Sequence, residues 1–397
     1  MVTSLLLQAA HFNQKLSSYL PPHCISWDPN NCRWVYSNNW KKHLPHFCIS
    51  FGVFGLVAYL QTALVTFTLI TEPKIFSSHQ LVINFLVNGG MQIVLIMDIM
   101  LVYCGKDLLM VTNWAVKSYQ ATIEHLEPST WSNMIRLQNG KVDWYGFFAV
   151  YMSLVLCLGP FIFPVFLVHE NSDAIYTLLL AISSHTPLSA LSFRHTLLNN
   201  YFLKLTRFIL TLIFGLAASV TIRMSTVMMM CLAQFSTSTL HSLSHSKLSL
   251  DETKLYRKLG VCLKILRNIV KKLVAAFLTF SFFMILILVI LIVHGWKFLP
   301  LDIYLLSPCV LITELLFLNV SFHASCAVYE ISGSAIQSWR RQLHYRQGYM
   351  KRILKSFHPI AAPVGSIGIM DRAIKANYVH ATLDYTVNAL VSTQDFL

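Results

Sequence analysis

Six blocks of the chain are apolar long enough to cross a bilayer: residues 47–70, 81–103, 144–168, 208–231, 273–293 and 301–327. A helical crossing takes about 20 residues. None of these blocks shows the strict alternation of a barrel strand, so each reads as a helix. A seventh block, residues 376–397, is less apolar and carries His380, Asp384, Asn388 and Gln394. One further apolar stretch, 174–193, is broken by His185 and Pro187. It reads as an extracellular loop, a re-entrant piece or a helix approaching the fourth span.

Two polar-side segments also carry a helical pattern. From Leu255 the apolar positions Leu259, Cys262, Leu266, Ile269 and Leu273 advance by four and three in turn, a seam that runs into the fifth span. Residues 328–357 are helix-like and strongly basic, with Arg340, Arg341, Arg346, Lys351, Arg352 and Lys355. Such a segment is either a solvated face beside anionic lipid or part of a helical bundle that joins subunits.

Charge fixes the count and the orientation. Four Lys or Arg precede the first span, four lie between the second and third, eight fall within 247–272 and eight within 340–375. Only Lys74, Arg194, Lys204, Arg207 and Lys297 fall on the other side, with Arg223 inside a span. Positive residues accumulate on the cytosolic side. The pattern therefore predicts an all-α integral membrane protein with seven transmembrane helices, N-terminus cytosolic and C-terminus extracellular, with cytosolic helical extensions. Seven helices with the N-terminus inside is the inverse of a G-protein-coupled receptor. The divisions expected are a cytosolic segment over 1–46, six spans with loops over 47–327, a basic cytosolic linker over 328–375 and a last helix over 376–397.

Composition agrees with this picture: 55% of the 397 residues are apolar and 12% charged, and the mean hydropathy is +0.57. The net charge of +13 sits beside hydrophobic blocks, so it signals topology and lipid headgroups, not nucleic acid. The nine cysteines are scattered, and no disulfide framework is expected. Cys24 and Cys32 with a nearby His lack the short spacing of metal ligands, and His241 and His245 stand alone, so no metal site is expected. No basic residue precedes the apolar patch at residues 5–7, so no cleaved signal peptide is expected. There is no catalytic motif and no cofactor fingerprint, which excludes an enzyme at this level.

The most specific stretch is Phe357-His358-Pro359-Ile360, followed by Gly365, then Asp371-Arg372, then Tyr385. It resembles the C-terminal signature of the arthropod gustatory and odorant receptor superfamily, nearest the gustatory type. Asp384 stands where that family usually has Thr, and Val391-Ser392 where Gln-Phe would fall. The resemblance implies a ligand-gated cation channel in the plasma membrane, homo- or hetero-tetrameric, with the seventh helices around one pore. Its partners would be a small-molecule tastant or odorant, binding among the outer halves of the spans, and membrane lipid.

The seventh span supports a pore by its own residues. Asp384, Asn388 and Val391 follow i, i+4, i+7 spacing on one face, with Tyr385, Ser392 and Asp395 nearby. Around a symmetry axis that face gives rings of carboxylate, amide and apolar groups, the parts of a cation filter and a dewetting gate. Packing of this helix inside one subunit, with Asp384 paired to a Lys or Arg, is the competing reading. Asn84, Asn88 and Gln92 make one face of the second span polar, either for interhelical hydrogen bonds or for a ligand cavity. Glu314 and Arg223 are the costly groups within spans; they either pair with each other or leave Glu314 free for a ligand. Aromatic residues Phe161, Phe163, Phe166, Tyr176 and Tyr304 are candidates for the pocket wall. The rival functions are a secondary transporter of a small solute and a non-conducting receptor-like subunit.

Overall fold

A computed structural model describes all residues except 1–3, 20–21, 32, 38, 72–75, 124–143, 185–199, 298, 344–347, 367 and 395–397. Asp395 and the interruption at His185 and Pro187 thus lie outside the described residues. The chain opens with helix α1 (Ser4–Ser17), a hairpin of β1 (Ile25–Asp28) and β2 (Arg33–Tyr36), and helix α2 (Trp40–Phe47). A π-helical stretch, Cys48–Val57, then leads into α3 (Ala58–Thr71). Next come α4 (Ser78–Ile123), α5 (Trp144–His169), the short α6 (Ala174–Ser184), α7 (Tyr201–His245), α8 (Leu250–His294) and α9 (Leu301–Gln342). The chain closes with α10 (Gly348–Lys355), a small hairpin of β3 (Pro363–Val364) and β4 (Gly368–Ile369), and α11 (Arg372–Gln394).

Among the described residues five helical stretches are long and apolar enough to cross a membrane: Gln80–Trp114, Trp144–Ser183, Tyr201–His245, Val270–Lys297 and Tyr304–Gln342. Four of the six blocks read from hydropathy lie wholly within them, and the 301–327 block does so from Tyr304 onward. The first block differs, because its N-terminal half is π-helical and only Ala58–Thr71 is regular α-helix. The 174–193 block holds the 11-residue helix α6, which packs against α3.

The 45 residues of α7 or α8 span about 68 Å at 1.5 Å per residue, twice the roughly 30 Å of a hydrocarbon core. These helices therefore project well beyond a bilayer at one end. Ser249 starts α8 by accepting the Glu252 amide at 3.2 Å, with Asp251 and Glu252 in the first turn. Asn200 starts α7 through the Phe202 amide at 3.0 Å.

The N-terminal segment is not a loose tail. Trp27 and Trp34 face each other across β1 and β2 with ring centroids 5.1 Å apart, both 2% exposed. The Asn113 side chain of α4 clamps the Trp34 backbone, accepting its N–H and donating to its carbonyl, each at 2.7 Å. This hairpin and α1 join Met224, Val227 and Met228 of α7 and Trp339 of α9 in one apolar cluster.

The C-terminal motif residues are structural fasteners at the same end. Phe357 stacks on Tyr256 at 5.0 Å, and the Tyr256 hydroxyl donates to the His358 carbonyl at 2.8 Å. The Ile360 amide donates to Ser332 Oγ at 2.9 Å. Gly365 takes φ +49, a left-handed conformation that L-residues adopt only at a cost. Its amide reaches the Lys271 carbonyl at 3.2 Å. Asp371 caps α11 by accepting the Ile374 amide at 2.8 Å, and Arg372 pairs with Glu330 on α9.

Candidate functional site

The polar face expected on the second span is real and lines a cavity. Asn84, Asn88 and Gln92 of α4 face Thr62, Val65 and Thr66 of α3 and Thr279, Phe280 and Phe283 of α8 around a space of about 690 Å³. One end of this wall is a buried hydrogen-bond knot. The Gln61 amide of α3 donates to Asn84 Oδ1 and to Thr177 Oγ1 of α6, and Asn88 Nδ2 donates to Asn84 Oδ1 at 3.5 Å. Two acceptors in this knot, Gln61 Oε1 and Asn88 Oδ1, are buried without a hydrogen-bond partner. A buried acceptor left unpaired is costly and stands ready for a donor. Gly89 brings the α4 backbone against Phe280: a Cβ there would stand 3.0 Å from Phe280 Cε2.

The other expected ligand residues are not brought into this cavity. Phe163 and Phe161 are 41% and 53% exposed on α5. Tyr176 is buried beneath Arg207, whose guanidinium lies 4.7 Å over its ring. Tyr304 packs with Ile83, Leu291 and Leu299 and donates to the Ile292 carbonyl at 3.2 Å. Glu314 accepts the hydroxyl of Ser281, while Arg223 donates from Nε to the Ser219 carbonyl at 3.2 Å. Among the described residues no ion pair joins Glu314 to Arg223. Gln61 and Phe280 were not singled out from sequence. Gln61 carried a readable signal, as an amide midway along an otherwise apolar block.

A second cavity of about 250 Å³ lies deeper toward the N-terminal hairpin, lined by Met97, Met229, Met230, Phe277, Phe317 and Ile360 among others. Its wall is mostly apolar, with Arg267, Thr226 and four serines among the lining residues. Binding sites for small molecules combine apolar surface with a few placed polar groups, and the row of three amides and the larger volume favour the cavity at Asn84 and Asn88.

The last helix, α11, packs through Tyr378, Thr382 and Thr386, and Tyr378 donates to the Leu278 carbonyl of α8 at 3.0 Å. Its remaining faces are open. Leu383, Tyr385, Val387 and Val391 are each 57–62% exposed. His380, Asp384, Asn388 and Ser392 are exposed as well. Asp384 pairs with His380 one turn earlier at 2.8 Å, not with a Lys or Arg, and Tyr385 meets Phe282 edge-on at 5.6 Å.

No family model and no curated protein sequence matches the chain. Among solved structures, the insect olfactory receptor OR5 from Machilis hrabei, in complex with eugenol, is similar. The TM-score is 0.57 and the identity 11%, over 98% of this chain and 97% of that chain. At that identity the likeness is one of fold alone: this chain shares the fold of that receptor over nearly its whole length.

Proposed function

We propose that this chain is a subunit of a ligand-gated cation channel, a gustatory-type chemoreceptor of the plasma membrane. In this reading seven helices cross the bilayer with the N-terminus cytosolic, and α3 and α11 are the first and last. Four subunits, alike or mixed, surround a pore lined by α11.

The observation that carries this reading is the exposure of α11. An apolar row, Leu383, Val387 and Val391, lies beside a polar row, His380, Asp384, Asn388 and Ser392, and both are uncovered in one chain. Facing lipid, the polar row would be expensive. Around a symmetry axis both rows gain partners: the apolar row meets the neighbouring subunit and the polar row meets water and ions. Asp395 would extend the acidic rim at the outer mouth. The fold likeness and the C-terminal motif support the same reading.

The ligand in this reading is a small, largely apolar molecule with a hydroxyl or amine donor. It would sit in the outer half between α3, α4 and α8, its donor satisfying Asn88 Oδ1. Occupancy would favour the arrangement in which the α11 helices stand apart.

Currents recorded in cells lacking other receptors test this directly. Agonist-evoked cation current that persists when G proteins are blocked is expected. Tight monomers in detergent, together with no current for any of a broad panel of small alcohols and phenols, would sink it.

A further inference from the structure

His23, His46 and Asp98 come from separate parts of the chain: the residue pair before β1, the last turn of α2 and the middle of α4. All three are buried, at 6%, 2% and 1% exposure. Each imidazole Nε2 stands 3.5 Å from the same atom, Asp98 Oδ1. The two rings meet edge-on with centroids 4.7 Å apart, and the potential ligand atoms all lie within 4.8 Å of one another. Cys24 Sγ lies 4.0 Å from His23 Nε2.

The spacing is the informative quantity. A hydrogen bond from an imidazole to a carboxylate closes to about 2.7–2.9 Å when charge assists it. Both contacts here are well beyond that. A tetrahedral ion with bonds of about 2.0–2.1 Å holds neighbouring ligand atoms roughly 3.4 Å apart. The two imidazole–carboxylate edges of the cluster therefore have the length of a coordination shell.

The surroundings agree. Thr221 donates to Asp98 Oδ1 at 2.7 Å and Ser50 to Oδ2, so two hydroxyls fix the carboxylate from α7 and from the π-helical stretch. Among the described residues no Lys or Arg pairs with Asp98, so a bound cation would supply the positive charge that this buried carboxylate otherwise lacks. Imidazole nitrogens, one carboxylate oxygen and a nearby thiol suit a first-row transition ion, where magnesium and calcium prefer oxygen throughout.

We propose that His23 Nε2, His46 Nε2 and Asp98 Oδ1 bind a transition-metal ion of the zinc class. The ion fastens the N-terminal segment to α2 and α4. His23 Nδ1 now accepts the Ile25 amide at 3.0 Å, which leaves the ring proton on Nε2. Loading moves that proton to Nδ1 and frees Nε2 for the ion, so the Ile25 amide gives up its acceptor. Metal occupancy is thereby coupled to the first residue of the hairpin.

The test uses the full chain in detergent, purified without a histidine tag. His241 and His245 form an exposed pair with rings 4.6 Å apart. The background therefore carries His241→Gln and His245→Gln to remove adventitious binding. Elemental analysis is expected to find one equivalent of zinc per chain, removed by a chelator and restored by zinc chloride with a rise in the thermal midpoint. Cobalt chloride is expected to give the visible absorption bands of a four-coordinate nitrogen and oxygen site. His46→Gln and Asp98→Asn should abolish both signals. His23→Gln, which alters only the segment before the hairpin, should weaken them where Asp98→Asn does not fold. Folded protein that binds no zinc or cobalt, or binding unchanged in His23→Gln and His46→Gln, would overturn the site and leave a metal-free hydrogen-bonded cluster.

Discussion

Arg207 and Asp173, 34 residues apart, form a wholly buried ion pair, with Arg207 Nε donating to Asp173 Oδ2 at 3.1 Å. Asp173 also caps α6 through the Tyr176 amide at 2.9 Å, and Arg207 Nη1 reaches Asn171 Oδ1 at 3.1 Å. Removing one partner leaves the other charge buried and uncompensated. Arg207→Ala or Asp173→Ala should each destabilise the protein by about 3–5 kcal/mol. The double variant Arg207→Met/Asp173→Leu should recover much of that. Thermal melts followed by size-exclusion of the detergent-solubilised protein read the difference; an equal loss in single and double variants would contradict it.

The cavity beside α4 makes a prediction about ligand chemistry. Asn88→Leu should weaken an agonist bearing a hydroxyl about 10-fold, the equivalent of about 1.4 kcal/mol for one lost hydrogen bond. The matching compound without the hydroxyl should be affected little. Gly89→Val should instead push Phe280 inward and discriminate by size, favouring small agonists over large ones. Dose–response curves over a homologous ligand series separate the two effects.

At the other end of the molecule, burial pushes the Tyr256 phenol up to about 12, from an ordinary value near about 10. Because the folded value is the higher one, the stability this phenol contributes is complete below about pH 10 and is lost as pH rises through about 12. Tyr256→Phe keeps the stack on Phe357 and loses the hydroxyl's bond to the His358 carbonyl, at about 0.5–1.5 kcal/mol. Tyr256→Ala loses both and should cost about 3–5 kcal/mol. Melting midpoints across alkaline pH should show the wild-type decline flattened in Tyr256→Phe.

Gly365→Ala addresses the turn before the last helix. At φ +49 an L-residue costs about 1–2 kcal/mol. The added Cβ would also stand 3.2 Å from the Ala275 Cβ of α8. The substitution should destabilise the β3–β4 hairpin and, with it, the setting of α11. Faster proteolysis within residues 361–371 is the expected readout, with wild-type rates there refuting it.

For the last helix, Asp384→Asn should shift the reversal potential of agonist-evoked current away from that of the cations. His380→Ala, by freeing Asp384 from its partner at 2.8 Å, should shift it the opposite way. Both are read in bi-ionic solutions, and identical reversal potentials in all three proteins would remove Asp384 from the conduction path.

Sequence alone determined that five helices are long and apolar enough to cross a membrane, and it determined the polar face of α4. Both follow from local rules: apolar runs must be helices in lipid, and residues four apart share a face. The motif from Phe357 to Arg372 was legible as a signature, but its physical work was not. The stack on Tyr256 and the pairing of Arg372 with Glu330 join residues 101 and 42 positions apart, which no periodicity encodes. Tertiary structure alone decided which candidates share a cavity. It kept Asn84, Asn88 and Gln92 together, sent Tyr304 and Glu314 elsewhere, supplied Phe280 from another helix, and set Gln61 against Asn84 behind the wall. The same holds for His23, His46 and Asp98. Their separations of 23 and 52 residues hide them from any spacing rule, and only the packing of the N-terminal segment against α4 draws them around one point.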